Sequence, residues 1–235
     1  MMGKIRAPFL IVNPKSYLYG EESLKLAKAA DLAAEETGVE ILFTCPFADL
    51  RYIKENTTHV KVTAQHMDAL RPGRGMGHVL PESLKAAGAE AVFLNHAENP
   101  LTLCELAECI KRAKELDIAT VVCADSVAEG LAIAELAPDI LLCEPTDLIG
   151  AGHVADDDYV IQATTRIREV NEKIMVMIAS GVSTAEDVYN VIKLGADGTG
   201  ATSGILKAPD PGLRVMEMAK AIVRAVKDRE QGEKK

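Results

Sequence analysis

Short apolar runs punctuate the chain at regular intervals. They fall at residues 9–13 (FLIVN), 39–44 (VEILFT), 60–64 (VKVTA), 91–95 (AVFLN), 120–123 (TVVC), 140–143 (ILLC), 174–178 (IMVMI) and, more weakly, 196–201 (ADGTGA). Several are rich in β-branched residues and lack the apolar–polar alternation of a half-exposed strand. This pattern predicts strands buried on both faces. The glycines in the eighth run signal close approach of the backbone to a neighbour or a ligand.

Helical periodicity fills the intervals. Residues 21–37 place Leu26, Ala29, Ala30 and Ala33 on one face, and residues 101–116 group Leu103, Leu106 and Ile110 opposite a charged face. Ser183 opens Ser-Thr-Ala-Glu, a capping-box pattern for a helix reaching about 194, with Gly195 as its stop. Strand and helix alternate throughout, which implies a parallel sheet with helical crossovers. Eight such units imply closure. The expected fold class is α/β, a single-domain (β/α)8 TIM barrel over residues 1–228, followed by a charged tail at 229–235. At 235 residues the chain is slightly shorter than the ~250 typical of such barrels.

Composition narrows the function classes. Hydrophobic residues make up 48% of the chain, enough for a large core, and the formal net charge is −9. That charge argues against nucleic acid or an anionic membrane as partner. The five cysteines, 45, 104, 109, 123 and 143, are odd in number and lack C-x-x-C spacing. A reducing, cytoplasmic compartment is expected. No run approaches the ~20 apolar residues of a membrane span, and no His/Cys/Asp cluster has metal-ligand spacing.

In barrels of this kind, chemistry sits where strands end. Run one ends in Asn13-Pro14-Lys15, run four in Asn95-His96-Ala97-Glu98 and run six in Glu144-Pro145. Runs seven and eight end in Ala179-Ser180-Gly181 and Thr202-Ser203-Gly204. A cation, an imidazole, a carboxylate and two small-residue loops are thus expected at one mouth. Each has a plainer reading: a surface lysine, a satisfied histidine, a carboxylate serving as cap or ion pair. Their convergence favours catalysis. Glu144 closes the apolar run 140–143, where a carboxylate needs a partner or a raised pKa. The glycines of 146–152 (TDLIGAG) suit a lid with flexible ends.

At these residues the chain resembles the triosephosphate isomerase family, in its short archaeal form. The matching blocks are Asn13-x-Lys15, Ala64-Gln65-His66, 77–82 (GHVLPE), Leu94-Asn95-His96-x-Glu98, Glu144-Pro145 with Leu148-Ile149-Gly150-x-Gly152, 181–188 (GVSTAEDV), and Ser203-Gly204 with Lys207. The resemblance implies aldose–ketose isomerisation of a small phosphorylated sugar, first of all glyceraldehyde 3-phosphate to dihydroxyacetone phosphate, a step of glycolysis and gluconeogenesis. It implies Glu144 as base, His96 as electrophile, Lys15 as stabilising cation with Asn13 positioning it, and Glu98 in support. Ile149, Gly150, Gly181, Thr202 and Ser203 would close on the phosphate. It implies no cofactor and no metal, and a homodimer or homotetramer in which 73–78 reaches a partner subunit.

Some positions depart from the family pattern. Ala97 stands for a serine, Met76 for a threonine, and Gly200 for a larger aliphatic residue. The missing hydroxyl and the glycine leave room, on sequence grounds, for a four- or five-carbon ketose phosphate as the alternative substrate. A non-catalytic phosphate-binding barrel is the rival of another class. A lysine–carbonyl aldolase fits less well, because no lysine lies near the end of run six.

Overall fold

A computed structural model describes residues 5–144 and 156–232. Eight parallel strands close into a barrel in strict chain order. They are β1 (Phe9–Val12), β2 (Glu40–Cys45), β3 (Lys61–Ala64), β4 (Ala91–Leu94), β5 (Ala119–Ala124), β6 (Ile140–Cys143), β7 (Met175–Met177) and β8 (Gly198–Ala201). Register runs in step around the wall, and β1 closes on β8 through Phe9 beside Gly198 and Val12 beside Ala201. Each strand lies within two residues of the run that predicts it. The described helices are α1 (Gly20–Thr37), α2 (Leu50–Asn56), α3 (Pro81–Ala86), α4 (Leu103–Glu115), α5 (Val127–Ala134), α6 (Asp157–Val170), α7 (Ala185–Lys193), α8 (Ser203–Leu206) and α9 (Pro211–Gly232).

Two apolar cores follow from the alternation of side chains across each strand. Phe9, Ile11, Leu42, Phe93, Val121, Ile140, Leu142 and Met177 fill the barrel interior. Leu10, Ile41, Phe43, Val62, Val92, Val122, Leu141 and Val176 point outward and pack on the helices. Burial on both faces is why the runs read as unbroken apolar stretches. Gly198 and Gly200 serve the interior core: a Cβ on Gly198 would stand 2.2 Å from the Phe9 ring, and one on Gly200 2.7 Å from the Ile11 carbonyl oxygen and 2.9 Å from the Met177 methyl.

Three helix details differ from the sequence reading. On α1 the buried face is Leu26, Ala27, Ala30, Ala33 and Ala34, while Ala29 turns partly outward. On α4 the face is Leu106, Cys109, Ile110 and Ala113, and Leu103 is 65% exposed. Leu103 is the first helical residue, lying between the Thr102 cap and its capping-box partner Glu105. The cap of α7 is Thr184, paired with Asp187, and not Ser183. The Ser183 carbonyl is claimed by the Arg214 guanidinium and its hydroxyl by the Gly181 carbonyl, which holds it in the preceding loop. Gly195 does follow the helix end with φ 113. The last helix runs through the expected boundary at 228 to Gly232. No described helix is long and apolar enough to cross a membrane.

Candidate active site

The cation comes from a strained turn beyond β1. Pro14 precedes Lys15, whose φ of 49 lies in the left-handed region, uncommon for a residue with a side chain. Two side-chain amides hold it there. The Asn13 Oδ1 accepts the Lys15 N–H at 3.0 Å, and the Gln65 Nε2 donates to the Lys15 carbonyl at 2.8 Å. The Lys15 ammonium then meets Glu98 Oε1 at 2.5 Å. Its side chain is 20% exposed against 64% for Glu98, so the cation is the sheltered partner. The hydrogen bond from Lys15 holds Glu98 below the usual carboxylate range.

A second left-handed residue ends β4. Asn95, at φ 56, donates to the Cys123 carbonyl at 3.0 Å and to Glu129 Oε1 at 3.2 Å, and accepts the Leu101 N–H at 2.9 Å. The next residue, His96, enters the mouth. Its Nδ1 accepts the backbone N–H of Glu98 at 3.1 Å. A ring nitrogen that accepts carries no proton, so the neutral ring holds its proton on Nε2 and donates from there. Burial lowers the His96 pKa, and the Lys15 charge lowers it further against an opposing pull from Glu98. Imidazole, not imidazolium, is the favoured form.

Glu144 follows β6 directly, and its N–H extends the ladder to the Ala124 carbonyl at 2.9 Å. Burial raises its pKa, and the charge of Lys15 partly offsets that rise. A carboxylate held between those two influences suits proton abstraction near neutral pH.

The opposite side of the mouth is backbone. Gly181, at φ 72, turns the chain after β7. Thr202 leads into α8, whose first residues, Ser203 and Gly204, have no intrahelical partner for their N–H groups. The two loops pack back to back. A Cβ on Gly204 would stand 2.4 Å from the Ser183 Cα and 2.8 Å from the Val182 carbonyl oxygen. Arg214, from the start of α9, ties them together by donating to the carbonyls of Ser183 and, at 3.4 Å, Gly204. The result is a fixed nest of donors suited to an anion.

One open cleft of about 1310 Å³ takes in Asn13, Lys15, His96, Glu98, Glu144, Gly181, Thr202 and Ser203. Ile11, Phe93, Leu142, Met177 and Gly200 form its floor. Eight of the ten expected site residues thus share one mouth. The other two, Ile149 and Gly150, lie with the rest of the expected lid outside the described residues. Sequence reasoning assigned no role to Gln65 or Asn95, although both stand in its motifs, and it missed Arg214. No local pattern marks Arg214, because its partners are the two loops, one of them 31 residues away. Among the described residues no group of three or more His, Cys, Asp or Glu could hold a metal.

The expectation of a roomier pocket is corrected. Ala97 is exposed and does not line the cleft. The space a side chain at Gly200 would take is already filled by Ile11 and Met177.

Comparison with known proteins agrees with this geometry. The triosephosphate isomerase family model matches residues 8–222. The triosephosphate isomerase of Methanobacterium bryantii is 36% identical over 220 residues, covering 92% of this chain and 97% of its own length. That of Methanocaldococcus jannaschii is 34% identical over 218 residues, covering 91% and 99%. That of Sulfolobus acidocaldarius is 34% identical over 230 residues, covering 96% and 99%.

Proposed function

This chain belongs to the triosephosphate isomerase family and is an isomerase, and we propose that it interconverts glyceraldehyde 3-phosphate and dihydroxyacetone phosphate through an enediolate. Glu144 takes a proton from the carbon beside the carbonyl and returns it to the neighbouring carbon. His96 donates from Nε2 to the oxygen on which charge builds. Lys15 stabilises that oxygen electrostatically, held by Asn13 and Gln65 behind it and Glu98 beside it. This division between a glutamate base and a neutral histidine is the one already known for the family. Gly181, Thr202, Ser203 and the following N–H groups hold the phosphate, with Ile149 and Gly150 closing over it. Binding of the unreactive phosphate then contributes to orienting the reactive carbons.

The observation that carries the reading is the hydrogen bond from the Glu98 N–H to His96 Nδ1. It leaves a neutral donor in the same cleft as a half-buried carboxylate and a sheltered ammonium. A filled floor beneath Gly200 favours the three-carbon substrate over four- and five-carbon ketose phosphates. Turnover of phosphorylated C3–C5 aldoses and ketoses by the purified protein tests the assignment. Turnover of the larger sugars alone would overturn the substrate. Glu144→Gln should abolish isomerisation while phosphate analogues still bind; full activity in that variant would overturn the base.

The proposed compartment is the cytoplasm, a reading supported by five cysteines that are all free. A homodimer or homotetramer is supported by apolar side chains on the rim: Met76 is fully exposed at the tip of 73–78, with Tyr17 and Tyr19 at 72% and 75%. Sedimentation of the parent and of Met76→Arg tests this, and a monomeric parent would refute it.

A further inference from the structure

Arg214 stands in the first turn of α9, and the start of that helix is fixed twice over. The Asp210 carboxylate accepts the Leu213 N–H and the Asp210 carbonyl accepts the Arg214 N–H, each at 3.0 Å. Val215, Met218 and Ala219 are buried, and the helix packs on α1 and α7. The arginine is thus built on a rigid element. Its side chain is only 24% exposed, and the Nε donates to Glu217 Oε2 at 3.3 Å, which fixes the plane of the guanidinium.

That guanidinium lines the cleft where the two loops meet. One nitrogen, Nη1, serves the carbonyls of both Ser183 and Gly204. Two carbonyl oxygens that converge on one point repel each other, and a cation shared between them turns the repulsion into attraction. A second charge bears on the same loop. Asp187 Oδ2 accepts the N–H of Ser183 at 3.0 Å and that of Thr184 at 2.8 Å. Ser183 is therefore held by a carboxylate on its N–H and by a guanidinium on its carbonyl. The carboxylate alone would put negative charge behind a nest suited to an anion. The guanidinium offsets it at the adjacent peptide. Anchoring α7 does not call for the arginine, because Thr184 and Asp187 already cap that helix.

We propose that Arg214 is the positioning residue that sets the preference for a phosphorylated over an unphosphorylated substrate. It fixes the spacing of the two donor loops and offsets the Asp187 charge behind them. It acts through the backbone N–H groups of Gly181, Thr202 and Ser203 and leaves the reacting carbons to other residues. The inference rests on those loops holding the substrate phosphate. Donors held at the right spacing before the ligand arrives cost nothing to reorganise when it binds. The remote phosphate can then contribute its full binding energy to the reaction.

The test compares two substrates in the purified protein, glyceraldehyde 3-phosphate and glyceraldehyde without its phosphate. In Arg214→Ala the ratio of their kcat/KM values should fall about tenfold or more, the scale of one lost hydrogen bond to a charged group. The inhibition constant of inorganic phosphate should rise by a similar factor. A purely structural arginine would lower the melting temperature and reduce both kcat/KM values alike. An unchanged ratio therefore overturns the proposal. Arg214→Lys keeps the charge without the fork, and its ratio should lie between those of Arg214→Ala and the parent; a lysine variant no better than alanine overturns the part assigned to charge. Should Arg214→Ala fail to fold, Arg214→Gln decides. It keeps an N–H donor without the charge, its ratio should also fall, and a ratio equal to the parent's overturns the proposal. A parent that handles both substrates equally and is indifferent to inorganic phosphate would remove the phosphate site itself. A parent that prefers the phosphorylated substrate beside an Arg214→Ala with the same preference would remove the role of Arg214 alone.

Discussion

At the end of the barrel where strands begin, carboxylates are met by partners. Glu40 takes Arg6 at 2.8 Å, and Glu90 lies between Lys54 at 2.7 Å and Lys61 at 3.0 Å. Asp139 accepts both the N–H and the hydroxyl of Thr120, at 2.8 and 3.0 Å. Asp197 receives Arg168 and the Val176 N–H, each at 2.8 Å. At the mouth the pattern reverses. Glu144 is half-buried without a described hydrogen bond to its carboxylate, His96 is driven toward its neutral form, and the hydroxyls of Tyr159 and Ser180 are buried without partners. The closed end spends its charges on fixing where strands start. The mouth leaves polar groups unsatisfied, a cost to stability that a substrate can relieve. One wall therefore pairs its charges at one end and, at the other, holds the groups proposed for chemistry.

The sharpest way to break this contrast is Lys15→Ala. Removing one preorganised cation from the developing charge should lower kcat/KM on the order of 10³-fold. The urea midpoint should hardly change, since the Glu98 partner is 64% exposed and such pairs contribute little to stability. A comparable loss of stability would refute the division of labour. Next, Gly204→Ala should raise KM for the phosphorylated substrate roughly tenfold or more. The new methyl collides with backbone at Ser183, and the donor nest must open. Unchanged KM would mean the two loops do not hold phosphate.

At the closed end, Asp197→Ala should cost about 2 kcal/mol of unfolding free energy, by loss of a partly exposed ion pair and a backbone acceptor. Its kcat should match the parent's, and a fall in kcat would show that the two ends are coupled. The smallest effects are in pH dependence, and the ends should differ in sign. Burial pushes Glu90 up, but Lys54 and Lys61 outweigh it and hold it below its ordinary 4.5. Its contribution is present above pH 4.5 and is lost as pH falls through the folded-state value. Glu90→Gln should therefore be destabilised at neutral pH and converge with the parent in acid. Glu144 is raised above 4.5 by burial, so its ionisation favours the unfolded chain as pH climbs. Glu144→Gln should gain on the parent with rising pH. Equal signs in the two denaturation series would contradict the contrast.

The eight strands were legible because burial on both faces leaves an uninterrupted apolar signature, and the short eighth run still declared itself through glycine. That the proposed acid–base residues would share one mouth was legible because strand ends fix where a side chain can go. Features that depend on distant segments were not. Ser183 and Thr184 are equally good caps by local chemistry, and the choice falls to Arg214 of α9, 31 residues beyond Ser183. Leu103 continues a helical stripe in sequence, but the sheet does not reach it. Gly200 reads as empty space in a linear string, and only closure of β8 onto β1 brings Ile11 and, from β7, Met177 into that space.

The small residues of β8 place control of the mouth's depth on its neighbours. Phe9 and Ile11 of β1 and Met177 of β7 are the staves that set how far down a ligand can sink, and enlarging position 200 can only disturb them. A chain of this design would come to accept a longer sugar by trimming the staves on either side of its glycine stave, leaving the acid–base set at the rim untouched.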